Sequence, residues 1–175
     1  MKLREEILRE HSKEHALKIA GYACRSGRDF KELIACFLDN DQLLAQRAAW
    51  SVGWAARINQ QMIIHHIKDV VSVLRKKNVH DAVVRNAARV LQEIEIPEEY
   101  QGEVMDACFQ LLEMPATPVA IKAYALTIVA NLSKNYPEIR PELKLIIEDL
   151  WEHETAAFRA RAKKILVQME KQSTP

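Results

Sequence analysis

The chain has 175 residues, enough for one domain with its own core, and 49% of them are hydrophobic, which excludes a disordered polymer. Lysine and arginine number 25 against 24 acidic residues, so the net charge is +1 and the basic excess of a dedicated nucleic-acid binder is missing. Cys24, Cys36 and Cys108 are odd in number, widely spaced and set in apolar helical contexts, so they read as reduced core thiols rather than as a disulfide or metal framework.

The opening MKLREEILRE is charged throughout and lacks an apolar leader core. No apolar run approaches the roughly 18 residues of a membrane span, so a cytoplasmic protein with no membrane contact is expected. Four glycines, six prolines and no alternating β-branched run leave helices as the expectation. Ten are predicted, over residues 2–10, 12–25, 28–38, 41–58, 60–76, 80–95, 97–113, 117–134, 140–152 and 155–171. Ile63, Ile67, Val70 and Leu74 form one helical stripe; Val104, Cys108 and Leu111 form another. Thr117-Pro118 predicts an N-cap followed by proline at the first helical position. Pro97 opens another helix, and Pro141 sits in the first turn of the helix that begins near Arg140.

Four of these segments align without gaps: QRAAWSVGWAA, VRNAARVLQEI, IKAYALTIVAN and FRARAKKILVQ. Their basic residues, Arg47, Arg85, Lys122 and Arg159, are separated by 38, 37 and 37 residues. Trp50, Ala88, Ala125 and Ala162 each follow three residues later, and EHALKIAGYA from Glu14 looks like a degenerate fifth copy.

FLDNDQLLAQRAAW and VHDAVVRNAARVL resemble the second helix of HEAT repeats, with an acidic turn, then Val-Arg, then small residues. The resemblance departs from that pattern at Gln46 and Trp50. It covers nearly the whole chain and implies an all-α fold, an α-α superhelix of about five HEAT-like antiparallel helix pairs in a single domain, 1–175. AIKAYALTIVANL and PELKLIIEDLWEHETAAFRARAKKIL also resemble a group of short bacterial helical proteins, some of them labelled adenylosuccinate lyase. That enzyme's flexible catalytic loop resembles Ser-Ser-x-Met-Pro-x-Lys-x-Asn. This chain has no Ser-Ser, and its one Met-Pro, Met114-Pro115, is followed by Ala-Thr-Pro, so lyase chemistry is not expected.

The repeat acts as its own control for the tryptophans. Where other copies have alanine and then Leu91, Ile128 or Ile165, the second copy has Trp50 and Gly53. Residues three apart on a helix are neighbours, so Gly53 is expected to vacate the volume that the Trp50 ring fills in the core. Trp54 falls outside the buried arc of the helical wheel, at the position of Gln92, Val129 and Leu166. If the second helices line the concave face, as the resemblance implies, Trp54 sits at that surface; if the first helices or tight curvature cover it, Trp54 is packing.

An apolar floor would then carry Ala48, Ala55, Ala123, Leu126, Val129 and Ala130, bordered by Arg47, Arg85, Arg89, Lys122, Arg159 and Lys163. The basic row has a competing structural role, pairing with turn acids such as Asp41 and Asp81. His11 and His15 are expected to be separated by a helix break at Ser12. His65 and Asp69 share a helical spacing, and neither pair has the third ligand that zinc needs. No catalytic motif, metal site or cofactor site is expected.

The expected function is a non-enzymatic scaffold that binds a protein or peptide segment through Trp54, Arg47, Arg85, Arg89, Lys122, Leu126, Val129, Arg159 and Lys163. The alternative is nucleic-acid binding. HEAT-like DNA glycosylases hold alkylated DNA with Trp, Asp and Arg, but no Asp or Glu lies between Gln42 and Lys68, so another helix would have to supply the carboxylate.

Overall fold

The computed structural model describes residues 2–173. Every regular element among them is helical. They are α1 (Leu3–Arg9), α2 (Lys13–Ala23), α3 (Gly27–Phe37), α4 (Gln42–Ile58), α5 (Gln60–Ile64), α6 (Ile67–Val73), α7 (Asp81–Glu93), α8 (Glu98–Glu113), α9 (Val119–Leu132), α10 (Arg140–Leu150) and α11 (Ala156–Ser173), with one 3-10 turn over Pro137–Ile139.

Short polar side chains start α2, α3 and α4 because they satisfy the first unpaired backbone N–H groups. Ser12 accepts from the His15 N–H and Ser26 from the Asp29 N–H; Asp41 accepts from Leu43 and Leu44. The break at Ser12 separates His11 from His15 as expected. Thr117 is not the cap of α9: Pro118 holds the N-cap position, and helix begins at Val119.

The predicted helix over 60–76 is interrupted. His65 and His66 separate α5 from α6, and the His66 ring lies flat on Phe30, with ring centroids 5.7 Å apart. The break moves the acid partner by one residue, so it is His66 Nδ1, not His65, that lies 3.4 Å from Asp69. In the connection from α6 to α7, Asn78 adopts φ 59, a left-handed conformation that asparagine tolerates better than most residues.

The described residues form two compact units, one running to Ile96 and the other beginning at Pro97. In the first, α4 packs against α1, α2, α3, α5 and α7. Neighbours on so many sides demand small residues, and Ala48, Ala49, Val52, Gly53 and Ala55 are all buried. In the second, α9 is covered by α8, α10 and α11. It is apolar around nearly its full circumference, as a helix must be when several neighbours cover it. Consecutive helices pack as pairs, three in the first unit and two in the second, the first helix of the third pair being the interrupted α5–α6.

Candidate functional site

Trp54 is half-buried near the C-terminal end of α4. Three cations surround its ring. Lys13 Nζ of α2 lies 5.5 Å from the ring centroid, Arg57 Cζ of α4 lies 5.4 Å away, and Arg89 Cζ of α7 lies 5.7 Å away. All three are within the range over which an indole quadrupole attracts a cation. Arg57 follows Trp54 by three residues, so the helix itself brings the two together.

One carboxylate joins them. Arg57 donates to both oxygens of Glu93, from Nε at 2.7 Å and from Nη2 at 2.5 Å. Arg89 Nε lies 3.9 Å from the same carboxylate, one helical turn before it on α7. The hydrogen bond from Arg57, helped by the charges of Arg57 and Arg89, holds the Glu93 carboxyl below its ordinary value. With Lys13, Arg57 and Arg89 against Glu93, the cluster is cationic.

The Trp54 Nε1–H is buried and meets no acceptor among the described residues. An unpaired buried donor costs about 1–3 kcal/mol, so it marks a place where packing alone does not explain the residue. One helical turn after Trp54, Ile58 is 52% exposed, a large aliphatic surface at the end of α4. Of the residues expected to form a site, Trp54 and Arg89 meet here, and Arg85 is exposed one turn earlier on α7. Lys13, Arg57 and Glu93 were not in that expectation. Arg57 could have been found from its spacing to Trp54, and Glu93 from its spacing to Arg89; Lys13 carries no such local signal.

The apolar floor is corrected. Ala48, Ala55, Leu126 and Val129 are all 0% exposed. Leu126 and Val129 point into the core because α9 is covered by three helices, so neither offers a surface to a partner.

Half of the basic row is bonded to groups of the fold itself. Arg47 Nη1 donates to the carbonyl of Leu8, in the last turn of α1. Arg159 Nη1 donates to the carbonyl of Trp151, just after α10, at 3.2 Å. Lys122 is 3% exposed and its Nζ lies 2.7 Å from Glu154 Oε1, in the turn between α10 and α11. Helix C-termini leave carbonyls without partners, and a cation there is favoured by the helix dipole as well. The anticipated partners Asp41 and Asp81 are not used for this: Asp41 caps α4 and lies 3.7 Å from Arg4. Of the row, only Arg85 and Lys163 are exposed.

Trp50 is also corrected. It is half-buried, and its ring meets His11 at a centroid distance of 5.1 Å, at the junction of α1 and α2. It does not fill a space left by Gly53.

Among the described residues, no group of three His, Cys, Asp or Glu side chains could hold a metal ion, and no helix is long and apolar enough to cross a membrane. The family described as HEAT repeat domain matches residues 3–169. No curated protein and no solved structure matches the chain.

Proposed function

Since the chain belongs to the HEAT repeat domain family, we propose that it is an interaction module that takes a segment of a partner protein against Trp54, on the side of its first unit where α2, α4 and α7 meet. Stacked helix pairs commonly work this way, each pair adding a strip to a binding surface. The observation that carries the reading is the half-buried Trp54 indole among Lys13, Arg57 and Arg89, with Ile58 exposed one helical turn after it. Aromatic and arginine side chains held rigidly together are the groups that dominate protein interfaces. In this reading the domain acts by binding and catalyses nothing.

Immobilised wild-type protein and the Trp54→Ala variant, each exposed to cell lysate with and without nuclease, test it. A captured protein that survives nuclease and disappears with Trp54→Ala is the expected result. Equal capture by both proteins would remove Trp54 from the account.

A second reading, nucleic-acid binding, gains one observation: α7 brings Glu93 to the two arginines over Trp54, a carboxylate that the surrounding segment of α4 lacks. Against it, both Glu93 oxygens are engaged by Arg57, and the whole chain carries only +1. Capture that vanishes on nuclease treatment and falls steeply with salt would favour it.

A further inference from the structure

We infer that the Trp54 cluster is an acid-reading site: it recognises a carboxylate side chain of the partner, set next to an aliphatic one. The inference rests on the interaction reading above and gives that site its ligand chemistry. Three cations from three helices gather at one indole, so the cluster presents positive charge on a rigid aromatic base. Arg57 and Arg89 share Glu93, whereas Lys13 meets no carboxylate among the described residues. Arg85, one turn before Arg89, is exposed and likewise has no acidic partner among them.

The indole contributes a second sign. Its buried N–H has no acceptor, and a carboxylate oxygen is an acceptor that also carries negative charge. Lys13 lies over the ring face on an exposed, flexible stem, so its ammonium can swing to meet an incoming acid. Ile58, the exposed aliphatic one helical turn after Trp54, offers contact to an apolar neighbour of that acid.

The test follows Trp54 emission in a chain carrying Trp50→Phe and Trp151→Phe, titrated with a short peptide of Glu and Leu residues, its Gln-and-Leu counterpart, and single-stranded DNA. Calorimetry on the unaltered chain repeats the comparison if those substitutions disturb folding. The acidic peptide should bind about ten-fold tighter than the neutral one, the scale of one close charge pair. Lys13→Gln should erase most of that preference. Glu93→Gln should strengthen it, because it removes the competing internal carboxylate; a merely structural Glu93 would weaken it or leave it unchanged.

Equal binding of acidic and neutral peptides, with Trp54 reporting both, overturns the acid preference and leaves the interaction reading standing. Tighter binding of the DNA than of the acidic peptide overturns the acid preference and favours the nucleic-acid reading. No response to any probe overturns the acid preference, and the lysate comparison then decides the interaction reading separately.

Discussion

Gly53 of α4 faces Asn86 of α7: a Cβ added at Gly53 would stand 3.3 Å from Asn86 Oδ1. Asn86 is buried, and its amide is fixed by a 2.8 Å bond to the Ala82 carbonyl, so it yields little. The glycine is therefore matched to the next repeat and not to Trp50. In the last two copies the corresponding positions hold Ile128 and Ala160, a large residue then a small one, the reverse of glycine then asparagine.

Gly53→Leu should cost about 1–3 kcal/mol by overpacking against α7. Trp50→Ala should not relieve it, whereas Asn86→Ala should recover part of the loss. Urea midpoints of the single and double variants measure this. Rescue by Trp50→Ala would restore the exchange expected from the sequence.

Trp54→Phe should leave the urea midpoint unmoved or raise it slightly, since it removes an unpaired buried donor while keeping a ring for the cations. Trp54→Ala should cost about 1–2 kcal/mol through lost ring burial and cation contact. Both should weaken partner capture, Trp54→Ala the more severely. A fall of several kcal/mol for Trp54→Phe would mean that the N–H has an acceptor in solution.

Acid should weaken the first unit. Glu93 is held below 4.5 by its bond from Arg57, Asp39 below 3.8 by the Asp41 N–H and Arg4, and Glu6 below 4.5 by its bond from Lys18. A carboxyl depressed in the folded state contributes stability above its unfolded value and loses it as pH falls through the folded one. Urea midpoints should therefore hold down to about pH 5 and then drop. Glu93→Gln should make that drop shallower, and an unchanged slope would assign the acid sensitivity to the other two groups.

In the second unit, Glu154→Gln should cost about 3 kcal/mol, because it leaves the Lys122 ammonium buried without its counter-charge. Adding Lys122→Met should recover most of this, since a linear apolar side chain fits where the lysine stem lies. Thermal midpoints of the single and double variants decide it. A mild effect of Glu154→Gln alone would mean that water reaches Lys122.

Periodicity made most of the fold legible. Phe30, Leu33, Ile34 and Phe37 recur at helical spacing and all face the core of the first unit. The aligned Arg47, Arg85, Lys122 and Arg159 revealed the repeat, but three of them are tied to groups of the fold itself. Arg47 and Arg159 bond to backbone carbonyls, an acceptor every residue carries and no letter announces. The break at His65–His66 was hidden for a similar reason: each histidine tolerates a helix, and the stack on Phe30 is a contact between distant segments. The burial of Leu126 and Val129 was readable in principle, because α9 has apolar residues on every side, whereas a surface helix shows a stripe. The cage around Trp54 needed α2 to be placed against α4 before Lys13 could be found.

The three free thiols have a practical consequence. Burial pushes Cys24 up, Cys36 to about 11 and Cys108 to about 12, so near neutral pH little thiolate exists to attack an alkylating reagent. Cys36 and Cys108 are also shut away from solvent, and a reagent reaches them only when the surrounding helices part. Labelling rates then become clocks for opening, Cys36 timing the helices before Ile96 and Cys108 those after it. Followed in one tube, the two rates show whether a ligand bound beside Trp54 steadies both sets of helices or one.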